Sequence, residues 1–236
     1  NYGYTEVNWN VGCPAKTVVS KNRGSGFLAF PDEIDEFLCR VFEKTNLKIS
    51  VKTRIGKEDP EEFDRLLEIY EKYPLEELVV HPRTQKDFYG NIPNLEAFAK
   101  AAACRKFPVV YNGDITDRQD LERIQMRFPD ITCYMMGRGV LRNPQLTENL
   151  QKNTLPDKQK IWNFMKELEE SYSTELSGET VVLFKMKEIW CYMIKLFEDP
   201  GKLSGKLKKA KRLSDYELAA KSIFEECQIK EQHTEL

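Results

Sequence analysis

The stretch ISVKTRIGKEDPEEFDRLLEIYEKYPLEELVVH, residues 49–81, decides the fold class. It opens with the run ISVKTR and closes with LVVH, and both have the β-branched, apolar composition of a buried strand. Between them, residues 61–73 carry apolar side chains at the spacing of an amphipathic helix, namely Phe63, Leu66, Leu67 and Tyr70. A strand, a helix and a second strand in this order predict one parallel βαβ unit with a right-handed crossover.

The same alternation continues on both sides of this unit. Further strand-like runs lie at residues 6–10, 109–112 and 133–136. Further helical patterns lie at residues 31–43, 94–102 and 116–124. Asn94 is predicted to cap its helix, and Thr116 with Gln119 is predicted to form a capping box. Five parallel strands joined by helices are compatible with a doubly wound sheet or with part of a barrel.

Polar side chains follow each strand-like run at the point where the run ends. These residues are Asn10, Cys13, Lys52, Arg54, His81, Arg83, Asn112, Asp114 and Arg138. Functional groups at the carboxyl ends of parallel strands are typical of a TIM-type (β/α)8 barrel. A doubly wound dinucleotide fold would instead carry a GxGxxG turn after its first strand, and the sequence has no such motif. The pattern therefore favours the barrel.

Beyond the last strand the pattern is helical, at residues 154–197 and 215–229, with a break at 178–180. The predicted core of this part comprises Trp162, Met165, Met186, Trp190, Met193 and Phe197. We therefore predict an α/β domain at residues 1–150 and an all-α domain at residues 151–236.

The composition excludes several classes of protein. Of the 236 residues, 41% are hydrophobic and 31% are charged, as in an ordinary globular protein. No apolar run approaches the length of a membrane span. The six cysteines are scattered without a CxxC pair and the chain has two histidines, so we expect reduced thiols and neither a disulfide framework nor a metal site. These features predict a soluble, cytoplasmic protein without a membrane or metal partner.

A cluster of basic residues, the basic block, lies between Gly201 and Arg212 and contains no acidic residue. Its members are Lys202, Lys206, Lys208, Lys209, Lys211 and Arg212. Such a block is either a solvated face or a patch that binds the phosphates of a nucleic acid. Charge alone does not choose between these interpretations.

Cys13 differs from the other five cysteines because it lies between Gly12 and Pro14 in a turn that follows a strand. A thiol exposed in such a turn can act as a proton donor or a nucleophile, whereas the other cysteines are interpreted as packing. Lys52 and Arg54 alternate along their strand and so point to the same side. A buried cation there needs an anion or a hydrogen-bond acceptor, and a structural salt bridge is the alternative interpretation.

His81 follows a strand directly and precedes Arg83, although a lone histidine is commonly a core or capping residue. Glycines also end the last two strands, in the loops Asn112-Gly113-Asp114 and Gly137-Arg138-Gly139. Backbone amides left accessible by glycine, next to the N-terminus of a following helix, can bind phosphate. TIM barrels commonly bind phosphate in the loops after their last two strands, so the two loops predict a phosphate site.

In order and spacing, these motifs resemble those of the tRNA-dihydrouridine synthases. The resemblance rests on Asn10-x-Gly12-Cys13-Pro14, Lys52-x-Arg54, His81-x-Arg83-Thr84, Asn112-Gly113-Asp114-Ile115 and Gly137-Arg138-Gly139. Arg23-Gly24-Ser25-Gly26 also resembles a glycine-containing segment of that family, and residues 184–190 resemble part of its C-terminal helical domain. The resemblance implies a (β/α)8 barrel whose first three strands have no counterpart in this sequence. They are expected upstream, because five strands cannot close a barrel.

The resemblance also implies a reaction and its cofactors. The enzyme would use FMN and NADPH to reduce the C5–C6 double bond of uridine in tRNA, with hydride delivered to C6 and a proton delivered to C5 by Cys13. Lys52 and His81 would contact the flavin ring, and Asn10 the uracil or the flavin. The ribityl chain and the phosphate would be held by Asn112, Gly113, Asp114, Gly137 and Arg138. The remaining substrate contacts would be Arg54, Arg83, Lys202, Lys206, Lys208 and Lys209.

Two other functions stay open. A flavin TIM barrel that acts on a free pyrimidine, as dihydroorotate or dihydropyrimidine dehydrogenases do, uses a similar Asn-x-x-Cys-Pro loop but needs no basic helical tail. A non-catalytic RNA-binding module would bind no flavin and would not depend on Cys13. The sequence also departs from the family at Pro82, which replaces the glycine common after the histidine.

Overall fold

The computed structural model describes residues 3–230, which contain one parallel sheet of five strands in the order β1-β2-β3-β4-β5. The strands are β1 (Glu6–Asn10), β2 (Lys48–Arg54), β3 (Leu78–His81), β4 (Val109–Tyr111) and β5 (Cys133–Tyr134). Every pairing between neighbours is parallel. The predicted α/β class with a parallel sheet is confirmed. The last two strands end slightly earlier than predicted, at Tyr111 and Tyr134.

Helices follow each of the strands. Up to the last strand they are α1 (Lys16–Val19), α2 (Pro31–Lys44), α3 (Glu62–Tyr70), α4 (Leu95–Ala102) and α5 (Arg118–Arg127). After it they are α6 (Arg138–Arg142), α7 (Leu146–Lys152), α8 (Lys158–Glu175), α9 (Glu179–Met193), α10 (Gly201–Lys209) and α11 (Leu213–Glu226). Short 3-10 helices lie at Gly24–Ala29 and Ile194–Leu196. Within residues 3–230, no helix is long and apolar enough to cross a membrane.

The chain forms two compact units. The sheet unit comprises the chain up to Gly113 together with Arg123–Met135, and it therefore holds all five strands. The helical unit comprises Asp114–Glu122 and the chain from Met136 onward. The division into domains at residue 150 stays a prediction.

The core of the sheet unit covers both faces of the central strands. β3 is buried along its whole length, and β2 is buried from Ile49 to Val51. The apolar faces of α2, α3 and α4 add Ile34, Leu38, Phe63, Leu66 and Phe98. Burial on both faces explains why β3 appears in the sequence as an apolar run rather than as an alternation. β1 differs from them, since Val7 is 46% exposed and most of the strand faces solvent.

The helical unit has an apolar core of its own. Five of the residues predicted for it are buried and a sixth packs against them: Met165, Met186, Trp190, Met193, Phe197 and, at the edge, Trp162. The indole N–H of Trp190 donates to the hydroxyl of Tyr216 at 2.9 Å, so the donor of this buried ring is satisfied. α8 ends at Glu175 and α9 begins at Glu179, so the predicted break is present but lies at residues 176–178, two residues earlier than predicted.

One of the two predicted helix caps is confirmed and the other is wrong. The Asn94 side chain accepts a hydrogen bond at 2.9 Å from the backbone N–H three residues later. At α5 the capping residue is Asp117, whose carboxylate accepts from the Asp120 N–H at 3.0 Å. Asp120 in turn accepts from the N–H and the hydroxyl of Thr116, both at 2.9 Å. The predicted capping box would have Gln119 accept a hydrogen bond from the Thr116 N–H. Asp120 takes this place, because its carboxylate accepts both hydrogen bonds from Thr116 more strongly than an amide would.

Candidate active site

The sheet brings four of the predicted residues to adjacent strand ends. Asn10 at the end of β1 pairs with Lys52 of β2, and Arg54 at the end of β2 pairs with His81 at the end of β3. The loop after β1 (residues 11–15, the Cys13 loop) and the loop after β3 (residues 82–94, the Tyr89 loop) leave the sheet at this same edge. In parallel-sheet proteins, this carboxyl edge is where ligands bind.

Hydrogen bonds hold the backbone on both sides of Cys13. The Asn10 side-chain oxygen accepts from the Gly12 N–H at 3.0 Å. The Cys13 carbonyl accepts from the N–H and from the hydroxyl of the buried Ser25, at 2.9 and 2.8 Å. Gly24 has a φ of +53°, and a Cβ there would lie 2.7 Å from the Cys13 carbonyl oxygen, so only glycine fits. The half-buried thiol therefore extends from a backbone with little freedom.

Lys52 is half-buried and, within residues 3–230, its ammonium has neither a hydrogen bond nor an ion pair. Lys48, on the same strand, is exposed and pairs with Glu76 at 2.5 Å. Burial, and then the charge of Arg54, lower the pKa of Lys52 to about 8. The structural salt bridge considered as an alternative is thus absent between Lys52 and the described residues. A buried ammonium in this environment fits a ligand that brings an anion or an acceptor.

Arg54 is 1% exposed and donates to backbone carbonyls rather than to a carboxylate. Its Nε–H donates to the Gly12 carbonyl at 2.9 Å, and its Nη1 donates to the Thr84 carbonyl at 2.8 Å. Its Cζ lies 5.3 Å from the centre of the Tyr89 ring. The carbonyls supply the acceptors that a buried charge requires, and they belong to the loops that follow β1 and β3.

Arg83 is buried and holds the Tyr89 loop. Its Nε–H donates to the Gly90 carbonyl, and its Nη2 donates to the Asn91 carbonyl, both at 2.7 Å. Its Nη1 lies 3.2 Å from Nε2 of His81, which is 8% exposed. Because a guanidinium can only donate, Nε2 is the acceptor of this hydrogen bond in the tautomer that carries its proton on Nδ1. Arg83 therefore fixes the tautomer of His81 as well as the loop.

The sequence interpretation missed Tyr89. Its loop contains two non-glycine residues with positive φ, Phe88 at 50° and Asn91 at 49°, a conformation that such residues rarely adopt. This backbone places the half-exposed Tyr89 ring beside Arg54 and 6.2 Å, centre to centre, from the His81 ring. The Gly-Asn pair after Tyr89 signals a turn, but no pattern in the sequence indicates where the ring goes. Ser25 was missed for a similar reason, since only its glycine neighbours stood out.

In the sheet unit, the predicted phosphate loop after β4 is hydrogen-bonded to the backbone that follows β5. The Asn112 side-chain N–H donates to the Met135 carbonyl at 2.7 Å. A Cβ on Gly113 would overlap the side chain of the buried Tyr111, so this position requires glycine. Asn112 and Gly113 are thus fixed in place at the end of β4.

In the helical unit, Arg138 forms an ion pair with Asp114, and both side chains are about a third exposed. Gly139 lies against the Ile115 carbonyl, where a Cβ would overlap. α6 begins at Arg138 and has five residues, so the loop leads directly into a short helix, and the predicted phosphate contact there stays a prediction.

The basic block coincides with α10 and the turn after it. At 100° per residue, Lys202, Lys206 and Lys209 lie on one face of α10, and Lys208 lies about 100° further round the helix. All six basic residues are exposed, and none of them forms an ion pair within the part of the chain that the structure describes. Exposed lysines elsewhere in the helical unit, such as Lys152, do pair with carboxylates.

The sheet and its strand-end cations define an α/β protein of the parallel-sheet class with a polar site at the carboxyl edge. The sequence model of the family described as Dihydrouridine synthase (Dus) matches residues 1–226. The chain therefore belongs to the dihydrouridine synthase family.

Similar proteins carry names from the same family. The tRNA-dihydrouridine(16) synthase of Yersinia pestis is 26% identical over 223 residues, which cover 92% of this chain and 70% of that protein. A probable tRNA-dihydrouridine synthase of Helicobacter pylori (strain J99) is 35% identical over 153 residues, 63% of this chain and 45% of the relative. The tRNA-dihydrouridine synthase B of Pasteurella multocida is 28% identical over 146 residues, 61% and 44% respectively. The chain thus spans less than half the length of two of these relatives.

Proposed function

We propose that the protein containing this chain is a tRNA-dihydrouridine synthase that reduces the C5–C6 double bond of uridine in tRNA with FMN and NADPH. The observation that carries this proposal is Lys52, a half-buried ammonium at a strand end without a partner among the described residues. Membership of the family supports the reaction, and the names of the relatives supply the substrate class. A tRNA substrate also suggests a cytoplasmic location.

The finer fold belongs to the same proposal. The five strands are proposed as part of a TIM-type (β/α)8 barrel at residues 1–150, which needs three more strands to close. Residues 151–236 are proposed as an all-α domain that binds tRNA. The parallel order of the strands and the apolar core of the helical unit support this division.

The residues at the strand ends fit an FMN group, which when bound supplies the hydride for C6 of uridine. Lys52 would bind the flavin ring, where a cation favours the reduced, anionic form, and this contact would raise the lowered pKa of Lys52. His81, oriented by Arg83, would contact the same ring. The residues proposed to hold the ribityl chain and the phosphate are Asn112, Gly113, Asp114, Gly137 and Arg138.

Cys13 would donate the proton that completes the reduction. Hydride addition at C6 leaves negative charge on the uracil, and transfer of the thiol proton to C5 neutralises it, so that the ring gains two hydrogens. The resulting thiolate would be reprotonated from solvent. The hydrogen bonds from Ser25 to the Cys13 carbonyl fix the position from which the thiol acts. Asn10 and Arg83 are proposed on the uracil side.

The basic block is proposed to contact tRNA phosphates. Its lysines have no carboxylate partners in the described part of the chain, so their charge is available to an external polyanion. The proposed contacts are Lys202, Lys206, Lys208 and Lys209. The target uridine must leave its stack to reach a flavin, and contacts to the backbone can orient the tRNA for this step without reading its sequence.

Dihydrouridine mapping tests the catalytic proposal. The full reading frame that contains this chain is expressed, and the protein is incubated with unmodified tRNA and NADPH before mass spectrometry. We expect new dihydrouridine with the wild type and with Cys39→Ala, an exposed thiol on α2, and none with Cys13→Ala although flavin stays bound. Reduction of free pyrimidines but not of tRNA would favour the dehydrogenase alternative. Absence of both flavin and product would favour the RNA-binding module.

The salt dependence of tRNA binding tests the basic block. Replacing Lys202, Lys206 and Lys209 together with Gln should lower the slope of log K against log salt by about 2 to 3, because each phosphate contact contributes nearly 1. A matched control replaces three lysines that pair with carboxylates, Lys152, Lys160 and Lys221. Equal changes in slope for the two triple variants would contradict the proposed interface.

A further inference from the structure

Arg54 joins two loops that carry different parts of the site. One N–H donates to the carbonyl of Gly12, directly before Cys13, and another donates to the carbonyl of Thr84, within the loop that carries Tyr89. The Gly12 peptide is held from both sides, because Asn10 accepts from its N–H. A rigid, planar guanidinium fixes two acceptors in one geometry, which an ammonium cannot do.

We propose that Arg54 is a positioning residue that couples the Cys13 loop to the Tyr89 loop by anchoring both to one guanidinium, so that its loss releases both loops. Both of its acceptors are backbone atoms, so the coupling acts on the course of the loops rather than on particular side chains. At 1% exposure the guanidinium has little water to replace a lost carbonyl. The Tyr89 ring, 5.3 Å from Cζ, lies against the same cation and adds a cation–π contact.

Two neighbouring residues hold one loop each and therefore serve as matched controls. Ser25 binds only the Cys13 carbonyl, through its N–H and its hydroxyl. Arg83 binds the Gly90 and Asn91 carbonyls of the Tyr89 loop. Loss of the Ser25 hydroxyl should loosen the Cys13 loop alone, and loss of the Arg83 guanidinium should loosen the Tyr89 loop alone. If the coupling exists, loss of the Arg54 guanidinium loosens both.

The experiment measures the opening of each loop separately in the full-length protein. Alkylation of Cys13 by iodoacetamide, relative to the exposed Cys39, reports the Cys13 loop. Chymotrypsin cleavage after Tyr89, which is exposed, reports the Tyr89 loop. Mass spectrometry quantifies both in wild type, Arg54→Lys, Arg54→Gln, Ser25→Ala and Arg83→Gln.

We expect both rates to rise about tenfold in the two Arg54 variants, since each loop loses a hydrogen bond from a charged donor. Ser25→Ala should raise only the alkylation rate, and Arg83→Gln only the cleavage rate. If an Arg54 variant changes one rate alone, or neither, the coupling is wrong. If Arg54→Gln fails to fold, Arg54→Lys decides, because it keeps the charge and the length of the side chain but not the fork.

Chemical rescue separates positioning from a general loss of structure. In Arg54→Ala, millimolar guanidinium should restore both rates towards those of the wild type, and the same concentration of sodium should not. Failure of guanidinium to restore either rate would overturn the proposal. The role of Cys13 in proton transfer rests on the proposed function. The measurements of loop opening do not, because they need no catalytic turnover. A protein that makes no dihydrouridine but shows coupled loops would refute only the function.

Discussion

Replacement of Lys52 by Met is expected to stabilise the flavin-free protein at neutral pH. The pKa of Lys52 is about 8 in the folded protein, against 10.5 for an ordinary lysine, mainly because burial disfavours the charge. At about 1.4 kcal/mol for each pH unit of this difference, keeping Lys52 charged in the fold costs about 3 kcal/mol. Methionine has nearly the same shape without the charge, so it removes this cost while it keeps the packing of the aliphatic stem.

The pH dependence gives the sign of the effect. Below pH 8 the lysine is protonated in both the folded and the unfolded chain, so the full cost is present. Between pH 8 and 10.5 the unfolded chain binds more protons than the folded one, so the stability of the wild type rises with pH and the advantage of Lys52→Met shrinks. Urea unfolding of both proteins at pH 7 and at pH 10 measures this difference.

Lys48→Met is the control, because Lys48 lies on the same strand but is exposed and paired with Glu76. It should not stabilise the protein, since removal of an exposed ion pair has little effect or a small cost. A Lys52→Met protein that is less stable than the wild type at pH 7, or whose advantage is unchanged at pH 10, would refute the reasoning. The ammonium would then have an acceptor that compensates for its burial.

Three further changes test other parts of the structure. Gly24→Ala should lower the free energy of unfolding by at least about 2 kcal/mol, since the φ of this residue is positive and the added Cβ would meet the Cys13 carbonyl. Gly205→Ala, in open space on α10, should instead raise it by about 0.5–1 kcal/mol. Urea titration of the two variants compares these effects. Burial raises the pKa of Glu169 from 4.5 to about 7, with Glu217 adding to the effect, so the wild type should lose stability as the pH rises from 4.5 to about 7. Glu169→Gln should abolish the contribution of this group to the slope of melting temperature between pH 5 and 7, and an unchanged slope would contradict the assignment. Trp190→Phe should cost about 1–3 kcal/mol in chemical denaturation because it leaves the buried Tyr216 hydroxyl without its donor, and a cost below that of Trp162→Phe would argue against this hydrogen bond.

The sequence predicts the positions of the strands well, because the burial of a strand is reflected in its amino-acid composition. β1 and β3 lie at the predicted residues, and β2 begins one residue earlier. The effect is clearest for β3, since a strand buried on both faces carries an apolar run. Helix ends depend on which of several neighbouring polar groups accepts a hydrogen bond. At α5 two candidates follow one another, and Asp117 rather than Thr116 forms the cap.

The contacts of the strand-end cations could not be predicted, because their partners are backbone atoms of distant loops. The sequence places Lys52 and Arg54 on the same side of β2, but one has no partner among the described residues and the other is bound by two carbonyls. No residue type signals a carbonyl acceptor, since every residue has one. The position of Tyr89 depends in the same way on positive φ values at Phe88 and Asn91, which are not glycines.

The different surroundings of the three cations at the sheet edge indicate which one awaits a ligand. Arg54 and Arg83 have carbonyl acceptors for their buried charge, so neither charge needs a ligand to compensate for its burial. Lys52 is destabilising as it stands, because burial disfavours its charge and nothing in the described part of the chain compensates for it. An anionic ligand that contacts Lys52 would keep its proton in place and should therefore stabilise the wild type more than Lys52→Met. Thermal unfolding of both proteins with and without FMN measures this difference, and equal stabilisation of the two would place the flavin away from Lys52.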